Sequence, residues 1–451
     1  MSHPDFTVEG RIIDAAGITE HARIEVTGSR ISSVTPLDSG TTHASNRAPA
    51  AGGSSAGDSS ALWSASDMPT IIPGFVDLHN HGGDGGAFPT GDEESCRRAA
   101  LFHRRHGTTT LLASLVSANE QEIVRQLDIL KPLADEELIA GVHLEGPFVN
   151  AHKCGAQNPD RIVPADADMF ARAASRHPGL IRQITLAPES PGAEDCLDVC
   201  AREGIILSLG HTNADYDTTI DFVNKAVERG IMVTATHLFN AMPPLHHRAP
   251  GAAAAMITSA KKFPGRVFVE LIADGVHLHN GTVDMVTESL PDSAFFITDA
   301  MEAAGKADGS YVLGTLAVTV DDGVARLTTT DGSVGSIAGG TSTLIDQFVR
   351  AVRRGFNPVD AVRFTSATAG RVLRCGGTEG GAGSSGYAGA IPRGAGASHA
   401  ATSSGTGISA GHLSVGAPAD FIVMDPNFEL REVYAAGQAL HVRGGQAGSE
   451  A

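Results

Sequence analysis

The chain has 451 residues, a formal net charge of −18 and 19 % charged residues. This length exceeds the roughly 250–300 residues at which one hydrophobic core stops growing, so we expect one large domain with a smaller companion. The acidic balance excludes general binding to nucleic acid or to anionic membranes, because no basic stripe is available to release counterions from phosphates.

The cysteines and the first residues bear on the compartment. Five cysteines form no CxxC pair, and an odd number fits a reducing compartment better than a disulfide framework. The opening MSHPDFTVEGRIID lacks the basic and apolar regions of a signal peptide, and no run approaches the roughly 18 apolar residues of a membrane span. We therefore expect a soluble, cytoplasmic protein with no membrane partner.

Both ends of the chain read as short strands broken by Gly turns, at residues 8–34 and 411–444. Neither end alone could bury a core, so we expect residues 1–69 and 374–451 to pair into one small β-sandwich domain. Within these ends, segments 39–67 and 376–411 are rich in Gly, Ser and Ala. They contain too few large apolar groups to offset the entropy of ordering and are predicted to be flexible insertions.

Between the ends, short apolar runs recur, mostly with stretches of helical period between them. The runs are TIIPGFVDLH (70–79), TTTLLASL (108–115), ELIAGVHLE (137–145), LIRQITLA (180–187), GIILSLGH (204–211), IMVTATH (231–237), VFVELIAD (267–274) and AFFITDA (294–300). A strand has this nearly continuous apolar character when helices cover one of its faces and a barrel core covers the other. We therefore predict an α/β fold with a (β/α)8 TIM-type barrel over residues 70–373.

Polar side chains end five of these strands, where a (β/α)8 barrel assembles its active site. They are His79, His81, Glu145, His211, His237 and Asp299. The i, i+2 spacing of His79 and His81 puts both imidazoles on one face of an extended chain. One such histidine alone is more often a hydrogen-bonded strand end. Six ligand-type residues at matching positions predict a metal centre for Zn²⁺, Fe²⁺ or Mn²⁺.

A second HxH pair, His277 and His279, follows the seventh run. No further carboxylate cluster accompanies it to complete a metal site. We therefore interpret it as loop, with His277 facing the substrate and His279 starting a helix.

Six motifs carry a resemblance to a known family: PGFVDLHNHGG, HLEGPF (143–148), LGHTNA (209–214), THLFNAMPPL (236–245), ADGVH (273–277) and TDA (298–300). In this order they resemble the N-acetylglucosamine-6-phosphate deacetylase family of the amidohydrolase superfamily. HLEGP with HLFNAM is discriminating, whereas HxH and the C-terminal ADFIVMD are shared widely in the superfamily. The resemblance covers the whole chain except the two Gly/Ser/Ala-rich segments.

The resemblance implies removal of the acetyl group from a phosphorylated amino sugar, with one or two divalent ions per subunit, and we expect a homodimer. Glu145, His211 and His237 match the general metal site of the family. His79, His81 and Asp299 match a second site that only some members occupy, with Glu145 as the bridge. Asp299 is the expected general base and acid.

The resemblance also implies substrate contacts on the loops. Arg248 matches a phosphate-binding arginine, and its guanidinium fork suits a phosphate. The other expected contacts are Asn240, Ala241 and His277, with His246 and His247 near Arg248. In the loop 149–161, Gln157 replaces a histidine that holds the acetyl oxygen in many members, and Cys154 is either a substrate contact or an exposed thiol.

Two alternative functions stay open. One is another amidohydrolase, such as a dihydroorotase-like cyclic amide hydrolase. Such enzymes commonly use a bridging carboxylated lysine on a middle strand, a place that Glu145 takes here. The other is a catalytically silent scaffold protein, which would have little reason to retain every candidate ligand.

Overall fold

The computed structural model describes residues 5–37, 68–331, 333–375 and 410–440. Apart from Ala410 and Gly411, the two predicted flexible insertions lie outside these residues. The strands are β1 (Phe6–Asp14), β2 (Gly17–Thr27), β3 (Arg30–Pro36), β4 (Thr70–Pro73), β5 (Phe75–Asn80), β6 (Gly82–Gly83), β7 (Gly86–Ala87), β8 (Thr108–Leu115), β9 (Gly141–Glu145), β10 (Ile181–Leu186), β11 (Ile206–Leu209), β12 (Val233–Ala235), β13 (Val267–Leu271), β14 (Ala294–Phe296), β15 (Gly309–Leu313), β16 (Leu316–Asp321), β17 (Val324–Leu327), β18 (Phe421–Met424), β19 (Leu430–Ala435) and β20 (Gln438–Leu440).

The helices follow the strands in alternation through the middle of the chain. They are α1 (Glu93–Arg105), α2 (Glu120–Asp135), α3 (Ala167–Arg176), α4 (Ala193–Glu203), α5 (Tyr216–Glu228), α6 (Gly251–Lys262), α7 (Asn280–Ser289), α8 (Leu344–Arg353), α9 (Pro358–Val362) and α10 (Thr368–Cys375). Local sequence sets their starts: at α2, Asn119 and Glu122 form a reciprocal capping box, which satisfies two backbone donors that the helix cannot. No helix among the described residues combines the length and apolar character needed to span a membrane.

Eight parallel strands form the predicted barrel, in the order β14-β13-β12-β11-β10-β9-β8-β5. The barrel is nearly closed: β5 meets the chain after β14 through a bridge between Asn80 and Ala300 and a 2.9 Å hydrogen bond from the Asp299 nitrogen to the His79 carbonyl. The (β/α)8 prediction is confirmed. This closure also brings two predicted ligands from opposite ends of the barrel sequence side by side.

The barrel interior has an apolar layer below a polar one. Leu112, Ile206 and Phe268 belong to a buried apolar cluster, and each stands two residues before a buried polar residue on the same strand. Residues two apart share one face of a strand. The apolar layer therefore fills the end of the barrel where the strands begin, and polar side chains occupy the end where they finish.

The two chain ends share one seven-stranded sheet, in the order β20-β19-β18-β4-β1-β2-β3. This confirms the predicted pairing of the ends, although the described strands form one continuous sheet instead of two. Its buried residues include Ile24, Ile71 and Phe421. Strand β4 lies between β1 and β18, so the single strand predicted over residues 70–79 was wrong. It divides at Gly74, where a Cβ would lie 2.1 Å from Oγ1 of Thr109.

A three-stranded antiparallel sheet, β15-β16-β17, follows the last barrel strand and was not predicted. Its turn at Gly314 has a positive φ of 59°. The same turn approaches the loop after β8, since a Cβ at Gly314 would lie 2.8 Å from Val116. The insertion therefore packs at the end of the barrel where the strands finish.

Candidate metal centre

All six predicted ligands are buried where the barrel strands end. They form two clusters, the first Glu145–His211–His237 and the second His79–His81–Asp299, and within each cluster the potential ligand atoms lie within 4.8 Å of one another. The barrel thus brings residues that are far apart in sequence together as two compact groups of nitrogen and oxygen donors.

The first cluster is centred on one oxygen of Glu145. Oε1 of Glu145 lies 2.9 Å from Nε2 of His211 and 3.0 Å from Nε2 of His237, and the two nitrogens are 3.1 Å apart. Nδ1 of His211 lies 2.8 Å from the Lys153 carbonyl, to which it must donate. In the neutral ring its Nε2 therefore carries a lone pair that faces the Glu145 carboxylate, an arrangement that a cation between them stabilises.

The second cluster has the same character. Nδ1 of His81 lies 3.1 Å from the Ser114 carbonyl, and Nδ1 of His79 lies 3.4 Å from Oε2 of Glu270. Both Nδ1 atoms face acceptors, so in the neutral imidazoles both Nε2 atoms present lone pairs. These two atoms are 3.1 Å apart, and each is 3.3 Å from Oδ1 of Asp299. The donor set fits a divalent ion.

Glu145 connects the two clusters. Its Oε1 lies 3.5 Å from Nε2 of His79, and its Oε2 lies 3.3 Å from Nε2 of His81. The same carboxylate therefore reaches ligands of both groups, which is the position that a bridging ligand needs.

The electrostatics of the site keep the carboxylates ionised. Burial raises the pKa of the Asp299 carboxyl, but His79 and His81 lower it by more than burial raises it. The net pKa therefore lies below the usual range. Burial lowers the pKa of His79, but Glu145 and Asp299 outweigh it and raise that pKa well above its ordinary value. The pocket thus favours positive charge between its carboxylates, whether this is carried by protons or by ions.

Three of the ligands lie in a strained backbone conformation. The φ angles of His211, His237 and Asp299 are +46°, +27° and +48°. Left-handed conformations of residues other than Gly cost about 1–3 kcal/mol each and persist where the surroundings impose them, often at functional sites. All three residues lie two or three residues beyond the end of a barrel strand, where the turn directs each side chain into the barrel mouth.

Two predicted substrate residues of the loop 149–161 lie beside the first cluster. Gln157 is buried and its amide nitrogen donates to Oε2 of Glu145. Cys154 is half-buried, and its carbonyl accepts a 2.8 Å hydrogen bond from the Gln157 nitrogen. The loop covers His211, since a Cβ at Gly155 would lie 3.3 Å from that imidazole.

The loop after β12 carries three other predicted contacts. The Asn240 amide donates to the His237 carbonyl at 3.1 Å, and the Ala241 carbonyl accepts from the Thr212 nitrogen at 3.2 Å. Both residues therefore adjoin the first cluster. Arg248 is exposed further along the loop, and among the described residues its side chain has no acidic partner. The rings of His246 and His247, the two residues before it, are tilted by 44° with centroids 4.2 Å apart.

The second HxH pair is not a metal cluster among the described residues. Nδ1 of His277 lies 2.8 Å from Asp274. Burial lowers the pKa of His277, but Asp274 outweighs it and raises that pKa above its ordinary value. His279 caps the start of α7, so the prediction that it starts a helix is confirmed.

Sequence reasoning missed the polar residues beneath the ligands. Glu270 and His143 are fully buried in the barrel. Nδ1 of His143 lies 3.0 Å from Oγ of Ser114, and its Nε2 lies 2.8 Å from Oγ1 of Thr185. The signal was present in both strands: an ionisable residue stands inside the apolar runs VFVELIAD and ELIAGVHLE.

A (β/α)8 barrel whose strand ends carry clustered histidines and carboxylates defines a metal-dependent hydrolase. The model of the amidohydrolase family matches residues 70–378, and the chain belongs to that family.

The curated relatives narrow the class. The chain is 32 % identical over 311 residues to the N-acetylglucosamine-6-phosphate deacetylase of Lysinibacillus sphaericus, which covers 67 % of this chain and 76 % of the relative. It is 31 % identical over 379 residues to the Homo sapiens protein of the same name, with coverage of 82 % and 83 %. Within the amidohydrolases, the chain belongs with the N-acetylglucosamine-6-phosphate deacetylases.

Solved structures agree with this placement. A mutant deacetylase from Mycobacterium smegmatis in complex with N-acetyl-D-glucosamine-6-phosphate is 31 % identical, with a TM-score of 0.76 and coverage of 97 % of this chain and 99 % of that one. The deacetylase of Thermotoga maritima is 25 % identical, with a TM-score of 0.73 and coverage of 96 % and 99 %.

Proposed function

We propose that this chain hydrolyses the acetamide of N-acetylglucosamine 6-phosphate to acetate and glucosamine 6-phosphate. The observation that carries the proposal is the pair of ligand clusters joined by Glu145 at the barrel mouth. The curated relatives from Lysinibacillus sphaericus and Homo sapiens carry the name of this activity. Glu145 on β9 would bridge the two ions in the place where cyclic amide hydrolases of the dihydroorotase type commonly have a carboxylated lysine.

Glu145, His211 and His237 would hold one divalent ion, and His79, His81 and Asp299 a second. Zinc, iron and manganese all suit these nitrogen and oxygen donors. When bound, such an ion supplies Lewis acidity, which lowers the pKa of a water molecule towards neutrality and polarises a carbonyl oxygen.

Asp299 acts as the general base and acid in this proposal. Its low pKa keeps it ionised at neutral pH, so it can accept the proton of the attacking water. It then delivers that proton to the leaving sugar amine, which must depart as a neutral or protonated group. Because the surroundings favour the ionised form, the proton resides on Asp299 only briefly.

The loops supply the contacts to the phosphorylated sugar. In a chain of net charge −18, an anionic substrate needs a local cation, and the exposed guanidinium of Arg248 provides one. Asn240 and Ala241 would contact the phosphate and sugar. His277, oriented by Asp274, would contact a sugar hydroxyl, and Gln157 and Cys154 would line the acetyl side.

We further propose a cytoplasmic homodimer. Leu245 and Val276 are 52 % and 42 % exposed on the loops after β12 and β13, where a second subunit would cover them. Sedimentation equilibrium tests the assembly directly: a monomer at micromolar concentration would contradict it.

Acetate release from N-acetylglucosamine 6-phosphate by the purified, metal-analysed protein tests the activity. We expect turnover that depends on divalent ions and falls strongly for the unphosphorylated sugar. Hydrolysis of dihydroorotate instead would favour the cyclic amide alternative. A protein that holds no metal and releases no acetate would favour a silent scaffold.

A further inference from the structure

A carboxylate that the proposed mechanism does not use lies beneath the two clusters. Glu270, the penultimate residue of β13, is fully buried. Its Oε1 accepts hydrogen bonds from Nε2 of Gln183 at 2.9 Å and Oγ1 of Thr234 at 3.1 Å. Ser208 approaches the same oxygen at 3.5 Å. Three neighbouring strands therefore hold one half of this carboxylate in place.

The other half faces the ligands. Oε2 of Glu270 lies 3.4 Å from Nδ1 of His79 and 3.2 Å from the backbone nitrogen of His237. One oxygen thus contacts a ligand of each cluster, the imidazole of His79 and the peptide of His237. A backbone N–H can only donate, so Oε2 must act as an acceptor here.

One residue pairs with the carboxylate of Glu270. Among the ion pairs of the described residues, its partner is His79 alone, and no Lys or Arg reaches it. A buried carboxylate requires a compensating positive charge. Because Nδ1 of His79 faces Glu270, the ring nitrogen that remains free to bind an ion is Nε2. That atom points at Asp299 and Glu145, at 3.3 and 3.5 Å.

We propose that Glu270 is a positioning residue that fixes His79 in its Nδ1–H tautomer and so sets the affinity of the His79–His81–Asp299 cluster for its divalent ion. The proposal rests on the two-ion site proposed above and deepens it. A carboxylate behind a metal-binding imidazole orients the ring and makes its free nitrogen more basic, and loss of such a partner typically weakens metal binding about 10- to 100-fold. Contact with the His237 peptide extends the influence of Glu270 to the first cluster, but there it touches backbone only.

Replacement of Glu270 should therefore weaken the binding of the two ions unequally. Glu270→Gln keeps the side-chain volume and removes the charge and one acceptor. We expect the dissociation constant of the second ion to rise about 10- to 100-fold, while the ion of the Glu145–His211–His237 cluster is retained. Thr234→Val is the matched control, because it removes a hydrogen bond to Oε1 without touching His79, and we expect it to keep the affinity of the wild type for both ions.

Equilibrium dialysis of the full chain against graded Mn²⁺, with ion content measured by atomic emission, gives the two affinities without any assay of activity. Electron paramagnetic resonance adds a signature of the Mn²⁺ pair, which should disappear in Glu270→Gln at concentrations that fill both sites of the wild type. Two ions bound as tightly as in the wild type, or equal weakening at both sites, would overturn the proposal. So would a wild type that binds a single ion.

Glu270→Asp provides a second test should Glu270→Gln fail to fold. It keeps the charge but withdraws it from His79 by one methylene, so an intermediate affinity for the second ion is expected and unchanged affinity would count against the role. Because these measurements record ions, a wild type that binds two ions but releases no acetate would refute the proposed function and leave this inference standing.

Discussion

The side chain of Gln157 clamps the carboxylate of Glu145. Its amide nitrogen donates to Oε2 of Glu145 at 2.5 Å, and its amide oxygen accepts from the Ser117 backbone nitrogen at 2.6 Å. Since a backbone nitrogen can only donate, this second bond fixes which end of the amide faces Glu145. The predicted contact of Gln157 with the acetyl oxygen is therefore left to the second hydrogen of the same nitrogen.

Gln157→Ala should lower kcat/KM for N-acetylglucosamine 6-phosphate about 10- to 100-fold, since residues that orient metal ligands contribute on this scale. The change frees Oε2 of a carboxylate that serves both clusters. Gln157→His is the matched variant, because an imidazole N–H can still donate to Glu145, and its loss should be smaller. Acetate-release kinetics at saturating ion concentration measure both. Full activity of Gln157→Ala would show that the clamp has no role.

Asp299→Asn should reduce kcat by about 10²- to 10⁴-fold, the usual contribution of general acid–base catalysis. The amide keeps the size of the side chain but cannot accept the proton of water. Substrate affinity, measured by calorimetry on the slow variant, should change little. A large loss of affinity with unchanged kcat would assign Asp299 to substrate binding instead.

Arg248→Ala should raise KM for the phosphorylated sugar far more than for N-acetylglucosamine. A lost hydrogen-bonded contact to a charged group costs about 1.5–3 kcal/mol, which corresponds to roughly 10- to 150-fold at about 1.4 kcal/mol per factor of ten. Arg248→Lys retains the charge without the bidentate fork, so its KM for the phosphorylated sugar should lie between the values of the wild type and Arg248→Ala. Equal changes in KM for both sugars would exclude a phosphate contact.

The double variant His79→Ala, His81→Ala tests whether catalysis needs the second ion. It leaves Glu145, His211 and His237 intact, so we expect one ion per chain by atomic emission in place of two. Activity should fall when the second ion is lost, because Asp299 then lacks the two imidazoles that lie 3.3 Å from its Oδ1. Retention of full activity would show that the reaction does not need His79 and His81.

The barrel and the ligands were predictable from the sequence for a physical reason. Strands buried on both faces read as continuous apolar runs, so the polar residue that ends each run is conspicuous. The same continuity concealed the break at Gly74. The strands β4 and β5 are both wholly buried, one in each sheet, and a pattern of burial alone does not reveal a change of sheet.

Two other features were missed although their signals were present. The strand β16 alternates between buried and exposed residues, as expected for an antiparallel sheet with one face in water, but this pattern lay within the segment assigned to the barrel. Glu270 was overlooked because a carboxylate inside an apolar strand is informative only when its partners are known. Its contacts with His79 and Gln183 come from other strands.

Asp420 predicts how stability depends on pH where the terminal sheet meets the barrel. Its carbonyl accepts from the Gly74 nitrogen at 3.0 Å, and its Oδ1 accepts from the Ala436 nitrogen at 2.7 Å. Burial raises the pKa of Asp420 from 3.8 to about 6, against smaller lowering by Ala436 and Arg104. Between these two values the folded chain binds more protons than the unfolded chain, so this residue makes stability fall as the pH rises from about 4 to about 6.

Asp420→Asn should remove that penalty, because its amide oxygen can still accept from Ala436 while no charge is buried. We expect the free energy of unfolding at pH 7.5 to increase by on the order of 1–3 kcal/mol, with little change well below pH 4, where Asp420 is protonated in both states. Urea midpoints across this range measure the effect. Asp321→Asn, at the exposed end of β16, is the control and should not alter the pH profile; an equal shift in both variants would assign the gain to reduced net charge instead.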